Sequence, residues 1–353
     1  MIGISMREPP AEYGDANARS LCKHRGNGLH YHSSSEVLRM KKRTRILSIA
    51  AVSIVIILVV ALVVIADYFF NFALVPASEA GGPDFNLTEQ EQNGLSGNED
   101  RQWIRETSED VFIESDDGLR LHGYLGMNPS AGTHAYAILL HGYKSQGLDM
   151  AYFAKHYYDK GWNYLVMDHR AHGKSEGEYI GMGWLDRLDI LNWIDFIIQR
   201  DPQAEIVIHG ISMGGAAVMM TTGEALPTNV KVAIEDCGYT SVYDEFTNQL
   251  KKMFGLPPFP IIPAASLITA ARAGYTFKEA SSVKQVMKSI TPTLFIHGSQ
   301  DTFVNFSMLD IVYDAAACEK EKLVVEGAGH GRASDTAPQL YWSTVDAFIA
   351  KYM

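Results

Sequence analysis

The longest uninterrupted hydrophobic stretch of the chain covers residues 46–66, ILSIAAVSIVIILVVALVVIA, with Ser48 and Ser53 as its polar members. It has the roughly 20 apolar residues that a bilayer-spanning helix needs. Core helices of that length rarely stay apolar on every face, so a transmembrane helix is predicted at 46–66. Residues 76–100 are then rich in Gly, Asn, Glu and Gln, with little to drive burial, and 67–102 is expected to be a linker. From about Trp103 onward, apolar runs of strand length alternate with stretches of helical period. Segments 111–114 and 119–125, joined through Ser-Asp-Asp-Gly, predict a hairpin. Further strands are predicted at 136–140, 164–168, 205–209, 230–235, 293–297 and 323–326. In 184–199, Leu185, Leu188, Leu191, Ile194, Ile197 and Ile198 recur at helical spacing. Strands apolar throughout and separated by helices imply an α/β fold: a mostly parallel sheet with helices on both faces, the hairpin forming its antiparallel edge.

Charge changes the picture at the N-terminus. Residues 1–45 carry nine Lys/Arg against four Asp/Glu, a net +5, which leaves −16 for the rest of a chain whose total is −11. Basic residues Arg39 to Arg45 precede the apolar run, while Asp67 and the aromatic residues Tyr68, Phe69, Phe70 and Phe72 follow it. A single-pass membrane protein is expected, its basic, disordered tail (1–45) cytoplasmic and its large domain (103–353) outside. A cleaved signal peptide competes, with Ser78-Glu79-Ala80 as its cleavage site, but the apolar region is longer than such peptides use. Met40-Lys-Lys-Arg-Thr-Arg reads as a natural start for the anchor, and residues 1–39 show no hydrophobic periodicity. The acidic body argues against a nucleic-acid partner. Three cysteines, Cys22, Cys237 and Cys318, suit neither a disulfide framework nor a zinc site, although a Cys237–Cys318 bridge stays open. No metal or organic cofactor is implied, since no ligand cluster has suitable spacing.

The candidate chemistry sits where strands end. After the strand at 205–209 come Gly210-Ile211-Ser212-Met213-Gly214-Gly215 and a helix of small residues. A serine on so tight a turn needs unbulky residues two positions either side, which Gly210 and Gly214 supply. Its hydroxyl needs a base, and the base an orienting carboxylate. Asp301 and His330 follow later strands, so Ser212, Asp301 and His330 are the expected catalytic residues, each at a carboxyl strand end. Asp236 is a rival carboxylate. The backbone N–H groups of Met213 and Tyr143 are the expected oxyanion hole.

These motifs, HGY at 141–143, DHRAHGKSEG at 168–177, GISMGG at 210–215, HGSQD at 297–301 and GAGH at 327–330, give the chain from about Val111 to Met353 a clear resemblance. It resembles the α/β-hydrolase superfamily, and is most similar to membrane-anchored bacterial hydrolases grouped with serine aminopeptidase-like esterases and lysophospholipases. The resemblance implies ester, thioester or amide hydrolysis through an acyl-enzyme. Ala171 departs from the commoner D-x-R-G-x-G-x-S pattern and suggests an altered loop; Asp168, Arg170 and Ser175 are expected to be structural. In this fold the segment at about 238–290 carries a short helical lid. Its Phe254, Leu256, Phe259, Ile261 and Ile262 would line an acyl pocket, touch the bilayer, or pack on the sheet.

Three functions follow: a membrane-tethered esterase or lipase-like serine hydrolase, an extracellular peptidase or aminopeptidase, and a non-catalytic binding module. Glu245 and Asp244 are the candidates for holding a free amine in the second.

Overall fold

The computed structural model describes residues 34–76, 96–129 and 132–353. The tail 1–33, the candidate cleavage site at Ser78-Glu79-Ala80 and most of the expected linker lie outside these residues. The chain divides into two compact units, Met1–Ile57 and Leu58–Met353. Helix α1 is Ser34–Leu74. It therefore begins inside the tail expected to be disordered and runs eight residues past the end of the apolar run, into the expected linker. The physical reason for the extension is burial: Ala66, Phe70 and Leu74, spaced four apart, sit at 0%, 1% and 0% exposure in a cluster with Ile180, Met182, Tyr239 and Tyr275.

In chain order the larger unit continues with α2 (Asn98–Thr107), β1 (Glu109–Glu114), β2 (Arg120–Gly126), β3 (Ala135–Leu140), α3 (Ala151–Asp159), β4 (Asn163–Met167) and α4 (Asp186–Arg200). Then follow β5 (Glu205–Ile211), α5 (Met213–Thr222), β6 (Val230–Asp236), α6 (Val242–Phe254), α7 (Ile261–Ala273) and α8 (Ser282–Val286). The last elements are β7 (Thr293–Gly298), α9 (Met308–Ala315), β8 (Lys320–Val325), α10 (Ala333–Thr336) and α11 (Pro338–Ile349). The strands form one sheet in the order β1-β2-β4-β3-β5-β6-β7-β8. β1 and β2 pair antiparallel, β2 joins β4 antiparallel, and every later pairing is parallel. This is the mostly parallel sheet with an antiparallel edge that the hydrophobic pattern predicts.

Both faces are covered, which explains why the central strands β3, β4 and β7 are buried along almost their whole length. Along β3, Ala137 and Leu139 pack with Phe153, Tyr157 and Phe348, while Tyr136, Ile138 and Leu140 face Ile190, Trp193 and Ile194 of α4. Each fully buried aliphatic side chain contributes about 1.5–3 kcal/mol. The inner face of α4 differs from the apolar stripe read from sequence. Asp186 and Asp189 are buried on it, and Leu188 and Leu191 are only partly so. The two acids are matched by the loop after β4: Asp186 meets His169 at 3.0 Å, and Asp189 takes a bidentate pair from Arg170 at 2.7 Å each.

Candidate active site

The turn between β5 and α5 carries Ser212 with φ 58° and ψ −116°, a left-handed backbone that side chains rarely adopt. Close packing enforces it. A Cβ at Gly210 would stand 2.2 Å from the Gly214 carbonyl oxygen, and one at Gly214 would stand 2.1 Å from that of Leu140. The Ser212 N–H donates to the Asp236 carbonyl at 2.8 Å, tying the turn to the next strand. His330, in the loop after β8, places Nε2 2.8 Å from Ser212 Oγ. Its Nδ1 lies 2.7 Å from Asp301 Oδ2 in the loop after β7. The structure thus brings the three sequence-predicted residues into one hydrogen-bonded chain, and Asp301 rather than Asp236 is the carboxylate on His330.

Asp301 has further partners that the sequence did not disclose. Its Oδ2 is 3.1 Å from His297 Nε2, and its Oδ1 accepts from the Phe303 and Val304 N–H groups at 2.9 and 3.1 Å. Burial pushes this carboxyl up, but the bonds from His297 and His330 outweigh it and hold it below the usual range. Burial pushes the His330 imidazole down; the hydrogen bond and charge of Asp301 overcome this, and its pKa ends above the ordinary value. A buried Asp236 is pushed up to about 6 by desolvation.

Of the two expected oxyanion donors, Met213 follows the serine directly and Tyr143 follows Gly142, which packs against Ser212. Met213 opens α5, where the first N–H groups of a helix have no intrahelical acceptor. Gly142 precedes Tyr143, and a Cβ there would lie 3.5 Å from the Ser212 Cβ. Among the described residues, one group of metal-ligating atoms lies within 4.8 Å of one another: Cys237, Asp301 and His330. Two of the three already belong to the hydrogen-bonded chain on Ser212. Cys237 and Cys318 are both free thiols, so the bridge left open by the sequence is not formed.

The loop motif at 168–177 is a brace, not part of the site. Asp168 accepts from Gly147 N–H at 2.6 Å and Lys174 N–H at 3.0 Å, and pairs with His122 at 2.7 Å. Ser175 donates to the Asp168 carbonyl at 2.7 Å and accepts from the His122 N–H at 2.8 Å. Ala171 holds the left-handed conformation, φ 60°, that glycine takes without strain. In that conformation a side chain costs about 1–2 kcal/mol.

Ser212 opens into a narrow apolar pocket with a cavity volume of about 80 Å³, open on one side to solvent. Of the predicted lid residues, Phe254 and Ile262 line it. Leu256 and Phe259 do not: they sit in the Pro-rich connection between α6 and α7, 36% and 76% exposed, where the prolines turn the chain outward. Ile261 is buried in the neighbouring core. One feature of the wall was not anticipated from sequence: Phe69, Phe72 and Ala73 of α1 form part of it. Glu245 of α6, a sequence candidate for holding a free amine, sits in the wall at 4% exposure. Glu245 Oε1 accepts from Gln249 at 2.7 Å, Oε2 meets no hydrogen-bond partner among the described residues, and burial pushes the carboxyl up to about 7. Asp244 instead lies in the first turn of α6, where its carboxylate accepts from the Thr240 and Ser241 hydroxyls and Ser241 caps the helix.

Residues 132–254 match the family described as serine aminopeptidase, S33, a span that includes Ser212 but stops before Asp301 and His330. The chain is 26% identical over 213 residues to YqkD of Bacillus subtilis, covering 60% of this chain and 70% of that protein. It is 25% identical over 252 residues to YfhR of Escherichia coli O157:H7, covering 69% and 81%. Among solved structures it resembles an esterase of Pyrococcus furiosus, with a TM-score of 0.59 at 23% identity over 74% of this chain and 97% of the esterase. At that identity the likeness is one of fold. Together these similarities support a hydrolase.

Proposed function

Since the chain belongs to the α/β-hydrolase superfamily, we propose that it is a serine hydrolase that cleaves a carboxylic ester through an acyl-enzyme on Ser212. The observation that carries this reading is the continuous Ser212–His330–Asp301 hydrogen-bond chain, whose serine lines an apolar pocket. His330 Nε2 takes the Ser212 proton as Oγ attacks the ester carbonyl, and the imidazolium formed is stabilised by Asp301. The Met213 and Tyr143 N–H groups receive the oxyanion. The imidazolium then protonates the leaving alkoxide as the C–O bond breaks. Water, deprotonated by His330, releases the acid and restores the serine. We further place the N-terminal helix across a membrane, with the basic tail cytoplasmic and the catalytic domain outside, on the charge difference across residues 46–66.

A second reading, hydrolysis of aminoacyl or peptide substrates, is favoured by the Glu245 carboxylate, whose Oε2 can meet an ammonium group inside the pocket. One panel separates the two: p-nitrophenyl butyrate and laurate beside leucine p-nitroanilide, with the wild type and Ser212→Ala. The ester reading predicts faster ester turnover and at least about a thousandfold loss in Ser212→Ala. Undiminished turnover in that variant rejects Ser212 as nucleophile. Preference for the anilide transfers the assignment to the peptidase.

A further inference from the structure

The pocket wall is shared between the lid and the last turns of α1. Phe69, Phe72 and Ala73 face the cavity, while Ala66, Phe70 and Leu74 on the adjoining stripe are buried in the domain core. The segment is fixed at several points. Tyr143 Oη donates to the Ala73 carbonyl at 2.7 Å, and the Ile180 N–H donates to that of Leu74 at 2.8 Å. Arg272 pairs with Asp67 at 2.5 Å, and the Phe69 and Phe72 rings meet Phe254 edge-on at 5.0 and 5.5 Å. Immediately upstream within the same unit, the helix turns to an exposed apolar surface, with Val63, Val64 and Ile65 at 54%, 63% and 42%. Phe69 lies three residues past Ala66, roughly 5 Å along the axis.

Two consequences follow. A chain cut after Leu74, as signal-peptide removal would cut it, loses one wall of its own substrate pocket and leaves Tyr143, Ile180 and Arg272 without these partners. A helix that crosses a bilayer with residues 46–66 brings the pocket wall to the depth of the lipid headgroups, since that polar layer is roughly 5–7 Å thick on each side of the hydrocarbon. An acyl chain can then enter the pocket without crossing water, where its transfer would cost about 0.8 kcal/mol per methylene. We propose that α1 is retained as an anchor whose end completes the acyl pocket, and that Ser212 takes its acyl group from a lipid ester of the same bilayer; this rests on the ester-hydrolase reading above. The Ser212 Oγ–acyl bond forms as the lipid's ester C–O bond breaks. The leaving glycerol oxygen receives its proton from His330.

The test uses the full chain reconstituted in phosphatidylcholine and phosphatidylglycerol vesicles, with p-nitrophenyl butyrate in solution and p-nitrophenyl laurate dissolved in the bilayer. The wild type is expected to favour laurate. The Phe69→Ala/Phe72→Ala double variant is expected to lower the laurate-to-butyrate ratio of kcat/KM by about tenfold. Phe72→Trp, which adds bulk at a half-buried position without undoing the helix packing, is expected to shift the preference toward shorter chains. Fluorophosphonate labelling of each variant reports that Ser212 is still assembled. Labelled variants that both keep the wild-type ratio would overturn the proposal, and so would an intact mass showing that the membrane-extracted protein begins after Leu74. A wild type that fluorophosphonate does not label fails the hydrolase reading itself, whatever the chain-length ratio.

Discussion

At the residue scale, the chemistry rests on one imidazole held between two oxygens. Ser212 is presented by backbone geometry that Gly210 and Gly214 permit, and Asp301 is held from three sides by His297 and two N–H groups. These glycines and the order serine, acid, histidine are readable in sequence because the turn demands them. His297 as a partner of Asp301 is not, since its role depends on how the loop after β7 folds back. The pH dependence follows from the opposing causes at His330. Burial alone lowers its pKa; Asp301 raises it above the ordinary value. Catalysis needs neutral His330, so kcat/KM for p-nitrophenyl butyrate should fall as pH drops through that raised pKa. In Asp301→Asn the raising influence is lost and burial remains, so the acid limb should move to lower pH while the rate falls by about three to four orders of magnitude. An acid limb that stays in place would show that Asp301 does not set the state of His330.

Elements were legible where one physical demand dominated. A strand in a doubly covered parallel sheet is largely apolar, and the six segments chosen on that ground pair in one sheet with the two segments read as an edge hairpin. Helix α4 misled by its composition. Its leucines suggest the buried stripe, yet the face against the sheet carries Asp186 and Asp189, because His169 and Arg170 from the loop after β4 supply their partners. Asp189 is 1% exposed and Arg170 5%, so neither can turn to water. Arg170 also pairs with the exposed Asp117 at 2.8 Å, so it is the loss of Arg170 that strands a buried charge: Arg170→Ala leaves Asp189 without its partner and should cost about 3–5 kcal/mol, read as a lowered denaturant midpoint with an unchanged slope. A change below about 1 kcal/mol would mean that the pair is solvated on the time-average. The lid shows the converse limit. Phe254, Leu256 and Phe259 are alike in sequence, but only Phe254 ends a helix that faces the cavity, and the prolines at 257, 258 and 260 carry the others outward.

At the scale of the whole molecule, the apolar run and the catalytic motifs read from sequence as two separate devices. Asp67 looked like the end of one and the aromatics after it like interfacial residues. The structure joins them within the larger unit, because the helix does not stop at Asp67 and its last turns bury Phe70 and Leu74 while lending Phe69, Phe72 and Ala73 to the pocket. No local pattern announces such a contact between residues 69–73 and 246–254; it exists only once the fold is formed. The charge balance, +5 before the run and −16 for the remainder, fits a body that stays in water while one helix stays in lipid. The central claim remains that Ser212 is the nucleophile. It is tested most directly by stopping the reaction with a long-chain p-nitrophenyl ester during its burst and mapping the added acyl mass by peptide mass spectrometry. The account predicts the acyl group on the peptide containing Ser212, and none in Ser212→Ala. An acyl group on any other residue, or a full burst from Ser212→Ala, would contradict it.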